Sequence, residues 1–118
     1  MIKDILASLY GKYAYQNPLY NIIKKSDSEY DIEVALAGYE YENINVTLHH
    51  NELTIEAKTR KRENVEYLHH DIPDGPPWRK FDISNELTVT GCDFVNGLLT
   101  VHLEQMPAQE TPQIIPIR

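Results

Sequence analysis

Short runs of alternating apolar and polar residues dominate the chain. The clearest run follows Asn96-Gly97, where Leu99, Val101 and Leu103 alternate with polar residues. Asn-Gly between apolar flanks is the strongest short signal for a tight β-hairpin, because both residues accept the positive φ of a type I′ turn. Similar runs lie at residues 19–23, 30–36, 44–49, 52–57, 80–83 and 87–90, with turn residues between them. The pattern predicts an all-β fold, an antiparallel β-sandwich with polar outer faces.

Residues 2–13 follow a different period, that of an amphipathic helix. The apolar positions at three- and four-residue spacing include Ile2, Ile5, Leu6 and Leu9. Pro18 stops such a helix. Two interpretations stay open: the helix packs on its own domain, or it is an apolar arm that contacts another protein. We divide the chain into a short N-terminal arm (1–18), a domain (19–104) and an extended C-terminal tail (105–118).

The segment from residue 59 to residue 77 is too long for a structureless loop inside a compact domain. Its middle contains strand-like residues, among them Val65, Tyr67 and Leu68, and a turn follows at residues 74–77. The simplest interpretation is an extra strand on a protruding loop, which pairs outside the sheets of its own protomer. Because an outward strand edge is a template for another chain, we predict a homodimer formed by strand exchange.

The tail ends in a short apolar motif. Residues 105–113 contain Pro107 and Pro112 and little apolar content, which is typical of an extended linker. The motif Ile115-Pro116-Ile117 follows. Since alternate residues of an extended segment point the same way, Ile115 and Ile117 form a two-pronged plug for a groove. The simpler alternative is a frayed terminus with accidental apolar residues.

Composition narrows the class of protein. The chain has 118 residues and a formal net charge of −7, which favours one domain and argues against nucleic-acid binding. The single cysteine, Cys92, forms no internal disulfide and suits a reducing compartment. No apolar run approaches the roughly 20 residues of a membrane span, and the signal-peptide pattern is lacking. We expect a cytoplasmic protein without nucleic-acid or membrane-spanning roles.

The chemically reactive residues form no pattern of an active site. The histidines include two adjacent pairs, whose members point opposite ways on a strand, so no metal site is expected. Cys92 stands beside Asp93, whose charge raises the pKa of the thiol. Gly-x-Ser-x-Gly and glycine-rich phosphate motifs are missing from the sequence. We predict that the protein is not an enzyme and needs no cofactor.

Arg79 shares its strand parity with Phe81 and Ile83, so it points to a buried face or to an interface. A buried guanidinium needs a carboxylate or several carbonyl partners. Two interpretations stay open: an ion pair that stabilises the protomer, or a charged anchor at the dimer interface.

Together these features resemble the small heat-shock proteins, the alpha-crystallin domain family, over about residues 19–104 plus the tail. Residues 94–101 resemble the family's G-x-L-x-V hairpin strand, and residues 34–38 resemble its strand and turn ending in Ala-Gly. Residues 78–81 resemble its arginine-bearing R-x-F strand, and Ile115-Pro116-Ile117 resembles its C-terminal I-x-I motif. The sequence is most similar to the bacterial inclusion-body-binding branch, and the implied fold is the immunoglobulin-like β-sandwich.

The resemblance implies an ATP-independent holdase that binds partly unfolded proteins and prevents their aggregation. It also implies that the loop strand, about residues 66–69, is exchanged onto the partner's residues 19–23. The implied dimer interface contains Leu19, Tyr20, Ile22, Ile23, Val65, Tyr67, Leu68 and Arg79. The I-x-I motif of one protomer would fill a groove of another, lined by Val46, Leu48, Leu87 and Val89. Clients would bind the apolar face of the arm, Ile2, Ile5, Leu6 and Leu9.

The expected partners are a second copy of the chain and unfolding client proteins. The arm is shorter than is usual in the family, so we expect dimers and small oligomers. The alternative function is that of a β-sandwich adaptor or co-chaperone, monomeric or dimeric, which binds one specific partner.

Overall fold

The computed structural model describes residues 2–5, 18–59, 62–105 and 113–118. The strands in these residues are β1 (Ile2–Asp4), β2 (Tyr20–Lys24), β3 (Glu29–Ala35), β4 (Ile44–His49), β5 (Glu52–Ala57), β6 (Trp78–Ile83), β7 (Leu87–Val95), β8 (Leu98–Gln105) and β9 (Gln113–Ile114). A 3₁₀ turn (Tyr41–Asn43) precedes β4. No helix in the described ranges is long and apolar enough to cross a membrane.

The strands form two antiparallel sheets. One has the order β1-β6-β5-β4-β9, and the other has the order β2-β3-β8-β7. The predicted all-β sandwich is therefore confirmed. Alternate residues of both sheets face each other and form one core, because a strand turns every second side chain to the same face. Its most deeply buried members include Ile32, Val34, Leu53, Ile55, Phe81, Leu99 and Val101.

The predicted hairpin lies between β7 and β8. Asn96 and Gly97 have φ of 54° and 79°, the positive values that a type I′ turn requires. The Gly97 carbonyl accepts a hydrogen bond from the Leu36 N–H at 2.8 Å. A Cβ at Gly97 would lie 3.0 Å from Ala37, so the turn packs tightly against the end of β3.

The helix predicted for residues 2–13 is wrong for residues 2–4. Ile2–Asp4 is a strand, which pairs with Phe81–Ile83 of β6. An isolated short helix is marginal, whereas the exposed edge of β6 offers backbone hydrogen-bond partners to an extended segment. Ile5, which follows the strand, is helical, and the rest of the predicted helix, including Leu6 and Leu9, lies outside the described residues.

β7 contains an irregularity that the sequence pattern missed. Val89 pairs with Leu103 and Gly91 pairs with His102, so Thr90 is an extra residue, a β-bulge. The simple alternation expected for residues 87–90 is therefore wrong: Thr88 is buried, and Val89 is half-buried. After the bulge, Cys92 faces the core and Asp93 faces outward.

The long loop has no strand of its own between residues 62 and 77. Its C-terminal end is fixed to the sandwich, because the Tyr39 hydroxyl donates to the Gly75 carbonyl at 2.9 Å. Within the loop, the Tyr67 ring stacks on His70 with 4.0 Å between ring centroids, and its hydroxyl donates to Asp74. Leu68 is almost fully exposed. The candidate exchange strand is thus held at its base and presented outward.

Candidate functional site

The C-terminal segment, residues 113–118, closes the open edge between the two sheets. On one side it extends the five-stranded sheet, since Thr47 and Leu48 of β4 pair with Ile114 and Gln113. The Ile115 N–H then donates to the Val46 carbonyl at 3.0 Å.

On the other side, the segment reaches the free edge of β7. The Arg118 N–H donates to the Cys92 carbonyl at 2.8 Å, and the Phe94 N–H donates to the Arg118 carbonyl at 3.2 Å. These two bonds flank Asp93, which is the pattern of a parallel bridge between Arg118 and Asp93. The segment therefore adds backbone to both sheets, and the side chains of Arg118 and Asp93 lie on the same outer face.

Both isoleucines of the motif pack against the core. Ile115 is 7% exposed, and Ile117 is half-buried. The Tyr41 hydroxyl donates a hydrogen bond to the Ile117 carbonyl. Ile114, by contrast, is 85% exposed, because it points away from the groove. The apolar contribution of the segment therefore comes from Ile115 and Ile117.

The four predicted groove residues are placed as follows. Val46 supplies the carbonyl that holds Ile115, and Leu48 is in register with Gln113. Val89 lines the cavity beside the segment, together with Thr90 and Gly91. Leu87 lies deeper, in the core. The resemblance implied that the motif fills a groove of another protomer; in the single chain it lies in the chain's own groove.

A row of charged side chains crosses the outer face of the β2-β3-β8-β7 sheet and ends at the C-terminal segment. His102 of β8 contacts Asp31 of β3 through Nδ1 at 2.7 Å and Asp93 of β7 through Nε2 at 2.6 Å. The other oxygen of Asp93 lies 3.2 Å from Arg118 Nε. Lys25 Nζ lies 3.9 Å from Asp31. Positive and negative groups thus alternate from Lys25 to Arg118.

The geometry indicates the protonation state of His102. A neutral imidazole has one N–H and can donate to only one carboxylate, so two close carboxylates favour the doubly protonated ring. Burial lowers the pKa of His102, but the hydrogen bonds to Asp93 and Asp31 outweigh burial, and that pKa is raised above 6.5. The His102 hydrogen bond in turn holds the pKa of Asp93 below its ordinary value, and the Arg118 charge acts in the same direction.

Arg79 lies inside the protomer. Its Nη1 is 3.1 Å from the carboxylate of Asp4, and its Nε donates to the Pro18 carbonyl at 2.8 Å. The guanidinium also lies over the Tyr20 ring, 4.8 Å from the centroid. The ion pair within the protomer, one of the two interpretations above, is what the structure shows. The assignment of Arg79 to the dimer interface stays a prediction, because contacts within one protomer do not test it.

The other predicted interface residues lie at the surface. In the described part of the chain β2 pairs only with β3, so it is an edge strand with its second edge open. Ile22 and Ile23 of β2 and Val65, Tyr67 and Leu68 of the loop are exposed, as is Leu19. Tyr20 is half-buried and packs edge-on against Phe81. Within one protomer, residues 62–77 form no strand, so in the described part of the chain none of them pairs with β2.

The arm residues predicted to bind clients are only partly described. Ile2 is half-buried and packs against the core, and Ile5 is half-buried. Leu6 and Leu9 lie outside the described residues.

Sequence reasoning missed one exposed apolar row. Leu19, Ala35, Leu98 and Val95 are cross-strand neighbours on the outer face at the hairpin end of the second sheet. All four are exposed. We call these four residues the end row. These positions could have been predicted from the sequence, because they alternate with the buried residues of strands next to the predicted hairpin.

No alternative chemistry emerges from the described residues. They contain no group of three or more side chains that could hold a metal ion. Burial, and after it the charge of Asp93, raises the pKa of the Cys92 thiol to about 12, so the thiol stays protonated and unreactive. The predicted direction of this shift is confirmed, although burial is the larger cause.

Comparisons with known proteins agree with this geometry. The model of the Hsp20/alpha crystallin family matches residues 22–118. A small heat shock protein IbpB from Serratia proteamaculans is 36% identical over 117 residues, which are 97% of this chain and 82% of that protein. An IbpB from Enterobacter sp. is 34% identical over 102 residues, 85% of this chain and 72% of that protein.

Solved structures give the same result. The small heat shock protein of Synechococcus phage S-ShM2 superposes with a TM-score of 0.65 at 30% identity, covering 79% of this chain and 89% of that one. Small heat shock proteins are ATP-independent chaperones and not enzymes, and these relatives do not favour the adaptor alternative. From the sandwich, the seated I-x-I segment and these relatives together, we conclude that this chain belongs to the Hsp20/alpha-crystallin family.

Proposed function

We propose that this chain acts as a holdase whose C-terminal segment is a reversible plug. The observation that carries the proposal is the seating of residues 113–118 at the open edge of the sandwich. Two isoleucines and a few backbone hydrogen bonds hold the segment, and it covers apolar core that a client segment would otherwise contact. Covering apolar surface is worth about 25 cal/mol per Å², so tail and client can compete for the same groove.

The proposed dimer forms by strand exchange. β2 has an open edge, and the loop presents the exposed residues Val65, Tyr67 and Leu68 without pairing them to either sheet in the described residues. An extended segment added to an open edge gains main-chain hydrogen bonds and buries these apolar side chains. Residues 66–69 of one protomer would pair with β2 of the other.

Two apolar surfaces are proposed to bind clients. The first is the end row, which is exposed in the folded protomer. The second is the N-terminal arm, with Ile2, Ile5, Leu6 and Leu9. Ile2 packs against the core, so it becomes available only when β1 detaches from β6. We further propose that the protein works in the cytoplasm, where the thiol of its free Cys92 stays reduced.

Aggregation of a heat-labile client, followed by light scattering without ATP, tests the holdase. We expect suppression near an equimolar subunit ratio. Ile115→Ala/Ile117→Ala should suppress aggregation at a lower temperature than the wild type, because its plug is weakened. Ile114→Ala is the matched control, since Ile114 is 85% exposed and its loss should change nothing. Failure to suppress at large excess would refute the holdase and leave the adaptor.

Mass measurement by light scattering tests the strand exchange. Glu66→Pro removes a backbone N–H from the proposed exchange strand, so we expect it to lower the dimer mass to that of a monomer. Glu63→Pro, in the same loop but outside that strand, should keep the dimer. A wild-type monomer, or a dimer that survives Glu66→Pro, would contradict the proposal.

A further inference from the structure

The groove has a charged rim next to its apolar floor. Arg118 follows the Ile-Pro-Ile motif directly, and its backbone forms a parallel bridge opposite Asp93. Opposite residues of a bridge direct their side chains to the same face, so the guanidinium is brought to the Asp93 carboxylate, with Nε 3.2 Å from Oδ1. The pairing follows from the register of the segment on β7.

Gly91 provides the space for this guanidinium. A Cβ built at Gly91 would lie 2.3 Å from Arg118 Nη2 and 3.0 Å from its Cζ. The side chain therefore lies directly on the Gly91 backbone, just after the bulge at Thr90. Even alanine at position 91 would displace the guanidinium from this path.

His102 holds the carboxylate in place. It contacts the Asp93 oxygen that Arg118 does not use, at 2.6 Å, and is itself held by Asp31 at 2.7 Å. Asp93 is thus fixed between a histidine on one side and the arginine of the tail on the other. A fixed carboxylate above a glycine suits an extended, positively charged side chain.

We propose that Asp93 and Gly91 form a subsite for a basic residue, which makes the groove selective for an Ile-x-Ile segment followed directly by arginine. The ligand is the tail of this chain or of a second copy. The proposal rests on the tail being a reversible plug, as proposed above, and adds which segments the groove accepts. Client or partner segments with an acidic residue at this position would be rejected by Asp93.

Peptide binding to the full-length protein tests the subsite. The protein carries Ile115→Ala/Ile117→Ala, so its own tail competes weakly. The probe is a fluorescein-labelled, C-terminally amidated peptide of residues 113–118, compared by anisotropy with the same peptide carrying glutamate for arginine. We expect the arginine peptide to bind roughly threefold to tenfold more tightly, the range of a gained exposed ion pair plus an avoided repulsion.

Two further variants test whether Asp93 and Gly91 cause the preference for arginine. Asp93→Asn should reduce the preference to about one, and Gly91→Ala should weaken only the arginine peptide, because only that ligand needs the space above residue 91. Arg62→Gln, at an exposed arginine of the distant loop, is the control that should leave the preference intact. High salt should also reduce the preference, since the pair is exposed to solvent.

The outcomes separate this proposal from the holdase. Equal binding of both peptides to a protein that retains Asp93 would overturn the subsite, and so would a failure of the arginine peptide to bind. Client suppression is measured independently on the wild type. Suppression without a peptide preference would remove the subsite and keep the holdase, whereas a preference without suppression would support the subsite and refute the holdase.

Discussion

The Arg79–Asp4 ion pair joins the first strand to the sandwich, and removing one partner has a measurable cost. Both side chains are buried, at 3% and 4% exposure, and Nη1 lies 3.1 Å from Oδ2. In Asp4→Ala the guanidinium keeps only the Pro18 carbonyl and the face of the Tyr20 ring among the partners described above. A buried charge that has lost its counter-ion destabilises a protein by about 3–5 kcal/mol.

The lower end of that range applies here. β1 is three residues long and, among the described strands, pairs only with the edge of β6, so it can detach and admit water to the guanidinium. We therefore expect Asp4→Ala to lose about 3 kcal/mol of unfolding free energy. For a domain of this size, that corresponds to a decrease in Tm of roughly 12 °C.

Thermal unfolding followed by circular dichroism provides the assay. Asp27→Ala is the matched control, because Asp27 forms an exposed pair with Lys24 and its loss should leave Tm nearly unchanged. The double variant Asp4→Ala/Arg79→Met should be more stable than Asp4→Ala alone, since no unpaired charge remains buried. A Tm of Asp4→Ala equal to that of the control, or a double variant less stable than the single one, would refute the reasoning.

The other predictions concern single sites. His102 has a raised pKa, so its stabilising contribution is complete below its unfolded pKa of about 6.5 and is lost as pH rises through the folded pKa. Tm should therefore fall as pH rises above about 6.5, and parallel pH profiles of Tm for wild type and His102→Gln would contradict this. Gly97→Ala should lose about 1–2 kcal/mol because residue 97 has φ of 79°, whereas Gly75→Ala, with nothing within 4 Å, should be nearly neutral in chemical denaturation. Cys92 should react with a thiol reagent only when the protein unfolds; rapid labelling under native conditions would contradict its burial.

The sheets of the sandwich were predictable because their signals are local. The alternation of Leu99, Val101 and Leu103 and the Asn96-Gly97 turn are encoded within a few residues, and the structure shows both. The parity that placed Arg79 among buried residues was also right, since parity is a property of one strand. The apolar motif at Ile115 and Ile117 was visible for the same reason.

The wrong secondary-structure predictions lie where strand pairing, rather than the local residue pattern, sets the backbone conformation. The helical spacing of Ile2 and Ile5 predicted a helix, but Ile2–Asp4 gains a full set of strand partners at the edge of β6, and that pairing prevails. The bulge at Thr90 shifted the parity of β7, and nothing in the alternation of its threonines marked the extra residue.

Most strands, the hairpin turn and the apolar C-terminal motif are encoded locally, because they depend on neighbours only a few positions apart. Contacts between distant groups depend on the folded chain: Asp4 meets Arg79 across 75 positions, and Asp93 meets both His102 and Arg118. Such contacts follow from the order of strands in a sheet and from the register of a docked segment. Strand order and register cannot be derived from the residue pattern of any one strand. The charged rim of the groove could therefore be identified only from the folded chain.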